Sequence, residues 1–127
     1  DDYSLATITD ENIINLDLGA SAYSVSPSSE SEDYMTTTTK VKGSEFSGVA
    51  ELYGTNLLGK SDLTIDLDGI AVKSGNFKIA VVLDGEIVYE FNNEDLMQTC
   101  ELRDVNGYVS LVIAGETADF KCYVRVW

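Results

Sequence analysis

Histidine is absent from this chain, and cysteine and proline nearly so: 127 residues hold two cysteines, Cys100 and Cys122, and one proline, Pro27. Without histidine there is no Ser-His-Asp or Cys-His nucleophile. The imidazole metal ligands are missing too, as is the one side chain that titrates near neutrality unperturbed. Two cysteines are too few for a disulfide framework or an all-cysteine metal site. Cations are scarce as well, with 8 Lys and Arg against 22 Asp and Glu and a formal net charge of -14. The acids are spread along the chain, so a negative field is expected over most of the surface. Duplex nucleic acid and anionic membranes are then poor partners, because binding either begins with Lys and Arg displacing counterions. Neutral ligands and hard cations suit such a surface. No stretch approaches the roughly 20 apolar residues that span a bilayer. The chain opens at Asp1-Asp2-Tyr3, with neither methionine nor a signal h-region, as a trimmed chain would.

What is present is a 44% hydrophobic share in short alternating runs, enough for one domain over residues 1–127. The Thr/Ser/Asp/Asn-rich, Lys-poor style of the runs points to an extracellular or cell-surface location. Residues 12–18 alternate, with Ile14, Leu16 and Leu18 on one face and Gly19 ending the run, which predicts a half-buried strand. Residues 20–33 are rich in serine and hold Pro27, the composition of a long surface loop. The four threonines at 36–39 predict an edge strand over 34–42. Further strands are expected at 46–53 and at 62–67, the latter with Leu63, Ile65 and Leu67 inward and a turn at Asp68-Gly69. No amphipathic helix of useful length is expected, although residues 92–97 could make one short turn.

Residues 76–91 hold two apolar runs flanking Asp84-Gly85. A two-residue turn there would set Ile79 opposite Glu90. A three-residue loop of Leu83, Asp84 and Gly85 instead aligns Phe77 with Phe91, Ile79 with Tyr89 and Val81 with Ile87. That register places these six side chains on one buried face and Lys78 and Glu90 on the other, with Gly85 at positive φ. Residues 107–127 suggest a second hairpin turning at Gly115-Glu116, with Val109 facing Cys122, Leu111 facing Phe120 and Ile113 facing Ala118.

About eight such strands with no helical period predict an all-β fold, a two-sheet antiparallel β-sandwich of jelly-roll type. The stretch 107–120, Gly-Tyr-Val-Ser-Leu-Val-Ile-Ala-Gly-Glu-Thr-Ala-Asp-Phe, resembles the closing hairpin of small β-sandwich domains in exported proteins of Gram-positive bacteria. Residues 74–79, Ser-Gly-Asn-Phe-Lys-Ile, resemble the strand before it. The resemblance implies a jelly-roll or galactose-binding-like sandwich attached to a surface lipoprotein, and it transfers no functional residue.

In the hairpin register of 107–127, Tyr108 lies opposite Tyr123 on the outward face, and Trp127 continues that face. Rings in a row suit sugar binding, since sugar C–H faces stack on aromatic rings. The plainer alternative is a cross-strand pair that stabilises the sheet by roughly 0.2–1 kcal/mol. Asp62, Asp66 and Asp68, and the loop of Asn92, Asn93, Glu94 and Asp95, could take structural calcium but match no known loop pattern, so solvated turns are the default. No cofactor is called for. Cys100 and Cys122 could close a disulfide worth roughly 3 kcal/mol. If residues 97–103, 107–114 and 117–127 form one meander, the two lie on strands flanking a third and are about 10 Å apart, which favours two buried free thiols. The expected function is a non-enzymatic surface domain for binding or adhesion, its ligand a neutral carbohydrate or a protein partner, with Tyr108, Tyr123 and Trp127 as the platform. The alternatives are a structural spacer or capping module and, less favoured, a glycoside-acting enzyme whose carboxylate pair the sequence does not single out.

Overall fold

A computed structural model describes residues 5–27 and 38–127. After a short helix, α1 (Asp10–Asn15), every element is a strand: β1 (Ser21–Pro27), β2 (Thr38–Leu83), β3 (Glu86–Phe91) and β4 (Met97–Val126). β2 and β4 are far longer than a sheet is wide. They bend repeatedly and pass between two layers, and all their pairings are antiparallel. In the first layer residues 46–57, 107–116, 76–83 and β3 lie side by side in that order. In the second the order is β1, then residues 38–43, 118–126, 63–74 and 97–105.

This is the two-sheet sandwich that the alternating runs imply. Val41, Ile65, Leu67, Cys122 and Val124 of the second layer pack with Ile79, Val81, Phe91, Leu111 and Ile113 of the first in one buried cluster. Leu63, Ile65 and Leu67 face inward as their alternation requires, at 8%, 0% and 0% exposure. Each such side chain taken from water contributes roughly 1.5–3 kcal/mol. Where the strands cross between layers, Phe46, Phe77 and Phe120 fill the gap. Their ring centroids lie 5.6 Å apart for Phe46 and Phe120 and 4.1 Å for the stacked Phe77 and Phe120.

The N-terminal segment closes the outer face of the first layer. Ile13 is buried there with Val49, Ala80, Val82, Val112 and Ala114, and Leu5, Ile8 and Ile14 pack around them. Residues 12–18 are therefore no strand. Thr9 caps a helix, its Oγ1 accepting from the Asn12 N–H while Asn12 Oδ1 accepts from the Thr9 N–H. The helix ends at Leu16 in the left-handed region. A local capping box outweighs an alternating pattern that has no strand beside it to pair with.

The serine-rich stretch also departs from expectation, since Ser21–Pro27 forms β1 on residues 38–43. The rest of the expected loop, 28–33, and residues 34–37 of the threonine run lie outside the described residues. The strand from Thr38 onward is not an edge, because it lies between β1 and residues 120–125.

Both expected hairpins are corrected. At 84–85 the turn has two residues, with φ of 48° at Asp84 and 79° at Gly85, and Leu83 pairs with Glu86. A bulge then shifts the register between Val82–Ile87 and Val81–Tyr89, so Ile79 sits opposite Phe91 and Ala80 opposite Glu90. The bulge keeps Phe91 inward and turns Ile87 to the face packed by the N-terminal segment, while Tyr89 is exposed at the edge. Lys78 and Glu90 do share the opposite face, as an ion pair at 3.0 Å. The tight turn is held from a distance: Tyr108 N donates to Asp84 Oδ1 and Asp84 N to Tyr108 O, both at 3.0 Å.

Residues 107–126 make no hairpin. They run as one path out of the first layer into the second, pairing with residues 48–57 and 76–83 and then with 38–43 and 65–74. Val109, Leu111, Ile113, Ala118, Phe120 and Cys122 are all buried, but Val109 faces Thr55 and Leu83 instead of Cys122. Gly115 is small because the Phe46 ring lies against it; it makes no turn.

Glu116 fastens the N-terminal cover. Its carboxylate accepts from the N–H groups of Ala6, Thr7 and Ile8 at 2.7, 2.6 and 3.1 Å, from Thr7 Oγ1 at 2.6 Å and from Asn76 Nδ2 at 2.9 Å. Partial burial alone would push this carboxyl up, but the converging donors outweigh it and hold the group at about 2 against an ordinary 4.5.

Two outcomes follow from these contacts. The depressed carboxyl stabilises the fold fully above pH 4.5, and that stability is lost as pH falls toward 2. Glu116→Gln should therefore cost about 1–2 kcal/mol at neutral pH, discounted for solvent, with faster hydrogen exchange at Ala6 to Ile8. The gap in melting temperature between the two proteins should close between pH 4.5 and 2; a constant gap would contradict the clamp. Gly85→Val has open space for its side chain, so its cost is that of the backbone alone. It should exceed the ~1 kcal/mol of an ordinary left-handed residue in a urea melt.

Candidate functional site

The centre of the first layer's outer face is roofed over, and among the described residues no element covers the outer face of the second layer. Alternation along the strand decides what it presents. Cys122 and Val124 face the core, so Lys121, Tyr123, Arg125 and Trp127 face out in a row, spaced about 6.7 Å apart. Across the sheet Tyr123 lies between Lys40 and Asp68, and Arg125 between Thr38 and Asp66.

One end of the row is tied down by Asp66. Its carboxylate accepts from Trp127 Nε1 at 2.9 Å, Arg125 Nη2 at 3.1 Å and Thr99 Oγ1 at 2.8 Å. The Arg125 guanidinium lies 4.7 Å from the Trp127 ring centroid, a cation–π contact. Backbone bonds between Trp127 and Thr64 fix the indole further, and yet it stays 55% exposed. The result is an oriented, accessible ring with hydrogen-bonding groups beside it. Tyr123 is half-buried, its ring close over Gly69.

The other end is cationic. Lys40, Lys42, Lys73 and Lys121 line one cavity of about 410 Å³, together with Ala71 and Asp119. Sequence reading missed this cluster, because the four lysines come from three separate strand segments. The only local signal was Lys40 and Lys42 alternating around Val41.

Tyr108 is not part of this face. It sits in the first layer opposite Asn56, and Tyr123 is in the second, so the expected Tyr108–Tyr123 pair does not form. The Tyr108 ring lies against Gly54, and its hydroxyl donates to the Glu51 carboxylate at 3.1 Å, a bond that also pushes the phenol pKa up. Ser110 Oγ donates to the same carboxylate at 2.6 Å. Trp127 does continue the face of Tyr123, as the alternation requires.

The cysteines are two buried free thiols. The strand between theirs is residues 65–68, not the 107–114 of the expected meander, which lies in the first layer; Cys100 is opposite Ile65 and Cys122 opposite Val41. Burial pushes the Cys122 thiol up to about 12 and raises Cys100 as well, so both are poor nucleophiles. The acidic loops are internally bonded. Asn92 Oδ1 accepts from the Glu94 and Asp95 N–H groups, and Asp62 Oδ1 accepts from Asp104 N. Among the described residues no three or more Cys, Asp or Glu side chains gather as metal ligands would.

No protein-family model matches the sequence, and no curated protein is a match to it. Among solved structures, the chain is similar to a carbohydrate-binding module of lichenase 5A from Cellvibrio mixtus in complex with cellotriose. The TM-score is 0.45 at 9% identity, over 85% of this chain and 88% of that one. It is similar also to the C-terminal CBM6 module of LamC, a marine laminarinase from Zobellia galactanivorans. There the TM-score is 0.45 at 12% identity, over 85% of this chain and 90% of that one.

Proposed function

We propose that the domain is a non-catalytic carbohydrate-binding module of the cell surface or extracellular space, and that the outer face of its second layer is the binding surface. The observation that carries this reading is the row of Lys121, Tyr123, Arg125 and Trp127 on an open sheet. Tyr123 and Trp127 lie about 13 Å apart along the strand. Apolar ring faces alternate there with charged side chains that can reach sugar hydroxyls. A glycan chain needs that combination, since its C–H faces stack on rings while its hydroxyls take polar partners. The rings are held before any ligand arrives: Asp66 fixes Trp127 and Arg125 together, which lowers the entropy lost on binding. No histidine is available for general acid–base work, and both thiols are buried, which supports a binding role over a catalytic one.

The competing reading, a spacer that binds nothing small, calls for these rings to be covered. Against the described residues Trp127 keeps more than half its surface, which supports the binding surface. In a glycan array followed by calorimetry, Tyr123→Ala and Trp127→Ala should each weaken binding at least about tenfold, near 1.4 kcal/mol. Tyr108→Phe, on the other layer, should leave it unchanged. Asp66→Asn keeps the shape but loosens the indole. It should shift the fluorescence of this sole tryptophan and weaken binding severalfold without unfolding the domain. Binding indifferent to both ring variants would remove the surface from consideration.

A further inference from the structure

The lysine cavity is unexpected in a chain of net charge -14. Half of its 8 cationic side chains, Lys40, Lys42, Lys73 and Lys121, line one cavity of about 410 Å³. Lys42 and Lys121 are directly opposed across two strands, an arrangement that destabilises a sheet when nothing compensates it. Among the described residues none of the four has an ionic partner, for the ion pairs belong to Lys78, Arg103 and Arg125. One carboxylate, Asp119, lines the cavity, and its Oδ1 already accepts from Glu45 N at 2.8 Å. Ala71, opposite Lys121, leaves room beside it. Surface lysines in so acidic a chain have abundant carboxylates to pair with. Four gathered with no ion pair among the described residues make a focused positive potential inside a negative field.

The cavity adjoins the ring row. Lys121 is two residues from Tyr123 on the same face, and Lys40 is the cross-strand neighbour of Tyr123. A chain stacked on Tyr123 would bring its next substituents over the lysines.

We propose that this cavity is a subsite for an acidic group, a carboxylate or sulfate, on the bound polysaccharide, so that the domain selects uronate-bearing or sulfated glycans over neutral ones. The proposal rests on the carbohydrate reading of the adjoining face and specifies its ligand class. The negative remainder of the surface sets the limit on partners. It repels an extended polyanion such as nucleic acid or an anionic bilayer, whereas a glycan with spaced acidic groups can meet the cavity alone.

The test compares a largely esterified polyuronate, whose free carboxylates are spaced along the chain, with its carboxyl-reduced, neutral form by calorimetry, with a sulfated polysaccharide, inorganic sulfate and single-stranded DNA as further arms. The wild-type protein should bind the acidic polymer at least about tenfold more tightly than the reduced one at low salt, and lose that preference near 1 M salt. Lys42→Gln with Lys121→Gln should bind both forms alike, with a melting temperature equal to or above wild type because a repulsion has been relieved. Preference for the sulfated polymer over the polyuronate would assign the subsite to sulfate.

Equal binding of the acidic and reduced forms by wild type would overturn the proposal and leave the carbohydrate reading standing. Failure to bind any acidic polymer would overturn it as well. So would inorganic sulfate binding as tightly as the polymers, or DNA binding more tightly through the same lysines. A lysine-dependent preference that survives Tyr123→Ala and Trp127→Ala would keep the anion subsite and remove the ring platform instead.

Discussion

The arrangement depends on three phenylalanines packed where the strands change layers. β2 and β4 each cross from one sheet to the other, and a crossing strand leaves a gap that only large side chains can fill. Phe46, Phe77 and Phe120 fill it, with Tyr23 of β1 against Phe46 at 5.4 Å between ring centroids. Such pairs contribute roughly 0.5–1.5 kcal/mol each beyond the area they bury. Their position matters more than that figure. The rings at the crossing set how far each strand runs before it bends, and so which residues after the bend face outward. Lys121, Tyr123, Arg125 and Trp127 form a row because Phe120 is anchored inward immediately before them.

The second constraint is the unequal treatment of the two outer faces. The centre of the first layer is apolar on both sides and is roofed by α1 and the residues before it, held down by Glu116. Residues 109–114 are accordingly buried without a break, as is usual for a strand covered on both faces. The second layer alternates cleanly between apolar and polar and carries the rings and most of the cations. The proposed binding surface and the roofed core thus lie on different layers. The buried layer supplies a stiff support, and the open one keeps side chains that stability does not require, including the opposed Lys42 and Lys121.

Much of this was legible in the sequence. The all-β class, the inward set of Leu63, Ile65 and Leu67, the positive φ of Gly85 and the shared face of Tyr123 and Trp127 all follow from local rules. A period of two fixes which side a residue takes, and glycine marks positive φ. The inward set of residues 109–122 was also right although the hairpin assigned to it was not, because alternation is indifferent to which strand lies alongside.

Pairing was decided elsewhere. Gly115 reads as a turn residue, but its lack of a side chain makes room for Phe46, nearly seventy positions away, and the chain crosses to the second layer instead of turning back. Asp84 and Gly85 form the tight turn that the apolar pattern disfavoured, because Tyr108 binds Asp84 and a bulge restores Phe91 to the core. Residues 12–18 alternate like a strand, yet 12–15 complete a helix that ends at Leu16, since no neighbouring strand competes with the Thr9 cap. The lysine cavity is the extreme case. Composition describes a uniformly acidic molecule, while the sheet register collects distant lysines into one place. By itself the sequence determined the inward set along residues 62–67 and 109–122, because burial periodicity is local, but not along β3, where it placed Tyr89 inside and the bulge leaves that ring exposed. Only the tertiary structure decided which of the outside residues are neighbours, because strand order is set by contacts between residues far apart in the chain.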